Sequence, residues 1–307
     1  MAKLEQSVRS WVLAHLPYDK SDNTLDQHLQ SLDAHGLLVV CHNWMSRLVK
    51  PQPRSVAKSA AFLANPVVTA RKSDFDSLIA DIEAGNDLKQ YLSRGVKVAA
   101  QVPGVKLGRR QDLDLMLTEW GVHHLHISSQ VESDGFVKRD GPLLFAVFRP
   151  ATAYLVDVMG HGDWNSEHVL RTMYQEWPKA GIIHALDPGL PGHPTKLVSN
   201  RTEAERGQLR KAGINSLLDL GGGVIVKAAA GMSGAGTAIG ATVAADRLLE
   251  KIEAFEDEWT NRIADLKQRL AAAGFACPDD AEFEFAIMPD GYGVIETKTR
   301  TWIPLVD

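Results

Sequence analysis

The chain has 307 residues, 45% hydrophobic and 23% charged, with a formal net charge of −5. This is the composition of an ordinary globular protein, long enough for one large domain or two. It contains no apolar run long enough to span a membrane, and its overall negative charge argues against indiscriminate nucleic-acid binding.

The opening MAKLEQSVRSWVLAHL reads as an amphipathic helix and not a signal peptide, which points to a cytoplasmic protein. Residues 24–34 form a second short helix with N-cap candidates at Asp22, Asn23 and Thr24. LLVVCHNW (37–44) reads as a buried strand or the start of a helix, and RLVKPQPRSVAKSA as a loop marked by its two prolines. Residues 73–84 place Phe75, Leu78, Ile79 and Ile82 on one helix face, stopped by Gly85-Asn86. GVKVAAQVPGVKLGRR (95–110) is a basic loop broken by Gly and Pro. RRQDLDLMLTEW is a helix that stops at Gly121, a residue type suited to the C-terminal position.

Three strand patterns follow: VHHLHIS (122–128), PLLFAVF (142–148) and TAYLVDVM (152–159). Their connections, with Asp134-Gly135 and Arg149-Pro150-Ala151, predict an antiparallel meander. GHGDW and the helix SEHVLRTMYQEW end this part at Pro178. Beyond it lie the loop-rich 181–200, a helix TEAERGQLRKAG capped by Asn200 or Thr202, and a small-residue segment with VIVKAAA as a candidate strand. A long helix from 244 to 274 carries Leu248, Ile252, Phe255, Trp259, Ile263, Leu266 and Leu270 in a stripe. That stripe suits a partner helix in the same chain or in a homodimer. EFEFAIM, PDGYG and VIETKTR give a terminal hairpin. The fold class is therefore α+β: N-terminal helices packed on an antiparallel β-meander, then a long helix and a C-terminal β-hairpin. The expected division is 1–178, carrying the histidine cluster, and 179–307.

WGVHHLHISS (120–129) holds three of the eleven histidines in four positions. Strand alternation separates them. His123 falls with Leu125 and Ile127 on the apolar face, as a buried histidine satisfied by a hydrogen bond. His124 and His126 share the other face and are the functional candidates. In an up-down-up meander, one edge gathers His126 from the first strand, Lys138 and Arg139 from the next loop, and His161 and Asp163 after the third strand.

Three readings remain open. In the first, His124, His126, His161 and Asp163 bind zinc or manganese in a metal-dependent hydrolase. The second is metal-independent RNA cleavage, with no cofactor. There His124, His126 and His161 move protons, because imidazole titrates near neutrality, and Lys138 and Arg139 stabilise the phosphate charge. In the third, the histidines are ordinary core and surface residues of a regulatory or assembly protein that dimerises through 244–274. VHHLHIS, LLFAVFRP and AYLVDVMGHGDW, within residues 110–178, resemble the sheet strands of RelE/ParE-type toxin ribonucleases. That resemblance implies RNA cleavage in a toxin or phage-defence role. WGVHHLHIS with the LLFA strand also resembles a set of uncharacterised bacterial proteins, which implies no activity.

Charge is unevenly spread. Residues 36–110 hold twelve Lys or Arg against five Asp or Glu, while 241–307 hold seven against fourteen. On the ribonuclease reading, Arg47, Lys50, Arg54 and GVKLGRR position the RNA backbone and Trp44 stacks a base. The same segment also reads as a solvated basic loop. The two cysteines, Cys41 and Cys277, are far apart and give no disulfide framework and no cysteine metal site. GMSGAGTA (231–238) is not a phosphate loop, because Thr237 stands where lysine is needed and Ala238 where Ser or Thr is needed.

Overall fold

The computed structural model describes residues 3–99, 114–187, 196–197, 200–275, 278, 280–288 and 291–305. The basic stretch GVKLGRR lies outside them, as does Cys277. The chain opens with α1 (Lys3–His15), α2 (Asn23–Ser31) and α3 (Ala34–Met45). The Asp22 side chain caps α2 by accepting from the Thr24 and Leu25 amides. LLVVCHNW belongs to helix α3. Residues 37–43 are all buried, and an unbroken apolar run has no period to separate helix from strand.

The segment with two prolines does not remain a loop. Directly after Pro53 and Arg54 it forms β1 (Ser55–Lys58). Short helices α4 (Ala60–Ala64) and α5 (Pro66–Ala70) follow, capped by the side chains of Ser59 and Asn65, and then α6 (Lys72–Ala84). Gly85 ends α6 at φ 78°, and a Cβ there would lie 2.4 Å from the Pro53 nitrogen. The left-handed conformation alone costs other residues about 1–2 kcal/mol. Gly85→Ala is therefore expected to lower unfolding free energy by more than that, read as a shifted urea midpoint. A midpoint equal to wild type would show that the turn is not tightly packed.

Then come α7 (Leu115–Trp120), β2 (His123–His126), β3 (Leu143–Phe148), β4 (Thr152–Met159), α8 (Glu167–Glu176) and β5 (Ile183–Ala185). After α9 (Glu203–Lys211) lie β6 (Leu218–Gly221) and β7 (Val224–Ala228). The chain closes with α10 (Ile239–Asn261), α11 (Ile263–Ala272), β8 (Phe283–Met288), β9 (Gly291–Glu296) and β10 (Trp302–Pro304). The layout is α+β, as expected. No helix among the described residues is long and apolar enough to cross a membrane.

By packing, the chain forms two units, Asn43–Gly240 and Met1–His42 with Ala241–Asp307. In the first, β2, β3 and β4 make the expected antiparallel meander, and β1 adds in parallel to β4, giving the order β1-β4-β3-β2. Leu125, Leu144, Ala146 and Leu155 pack on one face of this sheet, with Phe62, Phe75 and Leu78 of the neighbouring helices. Val122, Leu143, Phe145 and Val156 pack on the other, with Val169, Leu170 and Met173 of α8 and Leu218 and Val226. The last two residues belong to a second antiparallel sheet of order β5-β7-β6. Residues 179–240, placed with the C-terminal part on sequence grounds, thus pack with the meander, because their apolar strands complete its second face.

In the other unit, β8 and β9 form the expected hairpin and β10 pairs with β9. Trp11 of α1 meets Phe285 edge to face at 6.0 Å. The expected helix 244–274 is two helices, separated at the non-helical Arg262. No proline or glycine marks that break, so the apolar period runs through it. Leu248, Ile252, Phe255, Leu266 and Leu270 are buried within the chain. Phe255 and Trp259 pack on Phe283 at 5.1 and 4.8 Å. The stripe that suggested a homodimer is therefore largely covered by the chain itself.

Candidate functional site

The site belongs to the larger unit. His124 and His126 lie on the same face of β2, opposite Phe145 and Leu143 of β3. That face is not open to solvent: His126 is 4% exposed and His124 is largely buried. Because helices and a second sheet cover both faces of the meander, alternation assigned the histidines to faces correctly but did not reveal their burial.

The loop after β4 brings His161 over this pair. The His124 and His126 rings are 6.5 Å apart between centroids, and the His126 and His161 rings 5.6 Å. Trp164, at the end of GHGDW, meets the His124 ring edge to face at 4.6 Å and the His161 ring at 6.1 Å. His161 is exposed, so the three rings run from the surface inward. Arg139 is half-buried, and its charge acts on His126.

The inner end of the row meets a carboxylate. Asp114 Oδ2 lies 3.2 Å from His124 Nδ1, while its Oδ1 accepts from the Leu117 amide and caps α7. Burial pushes the Asp114 carboxyl up. The charge and contact of His124, the Leu117 amide and the charge of His123 together hold it below its ordinary value. His126 moves far from ordinary histidine, down to about 3. Burial is the main cause, and the charges of Arg139, His124 and His161 add to it. His126 is therefore neutral at physiological pH. His123, buried against Phe148 at 5.4 Å between ring centroids, is pushed by burial down to about 4. The charge of Asp114 and a hydrogen bond with the Ser46 backbone oppose that downward push.

No family model matches this chain. No curated protein and no solved structure matches it either.

Several candidates play other parts. Lys138 is exposed and pairs with Asp140 at 3.1 Å. Asp163 Oδ2 accepts from the Gly160 amide at 2.8 Å, shaping its own turn. Arg54 is buried, with Nε donating to the Arg149 carbonyl and Nη1 to those of Lys50 and Gln52. It fastens the segment before β1 to the β3–β4 turn, so its fork is committed to backbone and does not face solvent as a phosphate clamp. Trp44 Nε1 donates to the Val96 carbonyl and Arg47 Nη1 to that of Val98, so both tie down residues 96–98. Lys50 stays exposed. Among the described residues, no group of three or more His, Cys, Asp or Glu side chains is arranged to hold a metal.

Other contributors were not singled out from the sequence. A cavity of about 270 Å³ adjoins His124, lined in part by Asp114, Trp164, Arg47, Arg210 and Lys211. Arg210 of α9 donates from Nη1 to the Trp164 carbonyl and to Asn165 Oδ1, at 2.6 and 2.7 Å. It thereby holds the Trp164 loop against His124. The only hint in the sequence is the pair Arg206 and Arg210, one helical turn apart, and both prove to be buried.

Buried neutral histidines make the larger unit acid-sensitive. The unfolded chain takes a proton on each as pH falls below about 6.5, whereas folded His123 and His126 resist until about 4 and 3. Stability is therefore intact above 6.5 and lost as pH drops towards 4, at up to about 1.4 kcal/mol per pH unit for each histidine. Urea denaturation at pH 7 and pH 5 checks this. A His126→Leu variant is expected to show a shallower loss than wild type, and equal slopes would count against buried neutral His126.

Proposed function

We propose that the chain is a metal-independent hydrolase of nucleic-acid phosphodiesters, with RNA as its substrate, in a toxin or phage-defence role. The observation that carries this is the row His124–His126–His161, backed by Asp114 at one end and flanked by Arg139. RNA contains its own nucleophile, so its cleavage needs two proton transfers and charge stabilisation, which histidines and an arginine supply.

Neutral His126 accepts the proton of the 2′-hydroxyl as the 2′-oxygen bonds to phosphorus. His124, whose charged form Asp114 stabilises, donates a proton to the 5′-oxygen as its bond to phosphorus breaks. The products are a 2′,3′-cyclic phosphate and a 5′-hydroxyl end. Two rings 6.5 Å apart can flank one phosphate group. Arg139 faces the charge that builds on the non-bridging oxygens, and His161 contacts substrate at the exposed end. Lys138 and Arg54 have no role in this scheme.

The experiment is incubation of the purified protein with single-stranded RNA in excess chelator, with analysis of product ends. Cleavage that leaves cyclic phosphate ends is expected, as is growth arrest on induced expression. Cleavage that appears only on adding zinc or manganese would overturn the metal-independent mechanism.

A further inference from the structure

The cavity beside His124 is walled by Leu92, Val96, Leu115 and Met116 and by the half-buried ring of Trp164. Apolar walls around a space of about 270 Å³ favour a small, flat group over water. Trp164 meets Phe145, His124 and His161 at interplanar angles of 44°, 70° and 68°, so none of these rings lies parallel on its face. Its backbone is held in place, because Arg210 Nη1 donates to its carbonyl at 2.6 Å. A fixed indole without a stacked neighbour, set among aliphatic side chains, is a platform for a nucleobase.

The position of the cavity selects which base. His124 lines it and, in the cleavage scheme, gives its proton to the departing 5′-oxygen. The nucleoside that carries this oxygen therefore lies on the cavity side of the phosphate. Lys211 of α9 also lines the cavity and is exposed, so its ammonium stands at the mouth, where the 3′-phosphate of that nucleoside would emerge.

We propose that the cavity is the subsite for the nucleobase on the 3′ side of the cut, with Lys211 meeting the phosphate that follows it. This assignment rests on the cleavage reading and extends it to the form of the substrate. A base walled in by protein cannot stay paired, so the RNA is single-stranded at that position.

The test uses DNA oligonucleotides containing one ribonucleotide, which confine cleavage to one bond because only that sugar has a 2′-hydroxyl. An abasic residue directly 3′ of the ribonucleotide is expected to lower kcat/KM about ten- to hundredfold, the effect of losing one stacked base. An abasic residue two positions further on should leave kcat/KM unchanged. Annealing the complementary strand should abolish cleavage. Leu115→Trp, which fills the cavity, should cleave the base-bearing and abasic oligonucleotides at the same low rate. Lys211→Glu, an exposed position, provides the check where melting shows the first variant unfolded. It should raise KM severalfold more for an oligonucleotide that continues past the leaving nucleoside than for a dinucleotide that ends there. Equal kcat/KM with and without the 3′ base, undiminished cleavage of the duplex, or the same Lys211→Glu effect on both lengths would each overturn the subsite and leave the cleavage reading standing. No cleavage of any of these oligonucleotides would overturn both.

Discussion

Glu119→Ala is expected to cost the larger unit about 3–5 kcal/mol, the usual penalty for removing one member of a buried ion pair. Glu119 and Arg210 are each 3% exposed. Glu119 Oε2 accepts from Arg210 Nε at 2.6 Å, and Oε1 accepts from the Ser216 amide and hydroxyl at 2.6 and 2.7 Å. The guanidinium stacks 4.3 Å over the Trp120 ring. Burial pushes Arg210 towards losing its proton, and the charge and hydrogen bond of Glu119 oppose this. Without the carboxylate, a full positive charge stays in the core and two Ser216 donors lose their acceptor.

The loss reflects an unpaired charge and not the net worth of the pair, since burying both ions is itself expensive. The double variant Glu119→Leu/Arg210→Met is therefore expected to recover much of the stability lost by the single one. Urea denaturation of the three proteins decides. If the double variant is as unstable as Glu119→Ala, the pair contributes through packing and not charge. The double variant should still impair the site, because Arg210 also secures the Trp164 and Asn165 loop beside His124.

This pair also shows why the sequence was legible only in part. β2, β3 and β4 were readable because each short apolar segment ends at a turn, and turn chemistry is local. The terminal hairpin was readable for the same reason. α3 was not, because an apolar run buried on all sides has no periodicity. β1 was hidden by the prolines just before it, which break a helix but not the start of an edge strand. The convergence of His126 and His161 followed from the meander's topology. Glu119 and Arg210 lie 91 positions apart, and no spacing rule links them. Asp114 falls in a helix-like pattern, where no spacing sets it apart. Its importance comes from capping α7 while facing the edge strand β2, which only the packed structure combines.

Substituting His124 and His126 together by alanine is expected to lower RNA cleavage by about 10²–10⁴-fold, the usual contribution of positioned acid–base groups. Each single variant should lose most of that, because either missing proton transfer stalls the reaction. Asp114→Asn should lose less, since it keeps the α7 cap and removes only the charge beside His124. The pH profile separates a role in proton transfer from a role in folding. His126 is neutral down to about 3, so no acid limb from it should appear in kcat/KM at the pH values where the protein stays folded. The alkaline limb marks loss of the proton from the acid, assigned to His124. Removing the Asp114 charge disfavours the charged imidazole, so that limb should move to lower pH in Asp114→Asn. A purely structural role for Asp114 would lower the rate at every pH and leave the limb in place. If the double histidine variant still cleaves RNA at the wild-type rate, the row of rings is not the active site.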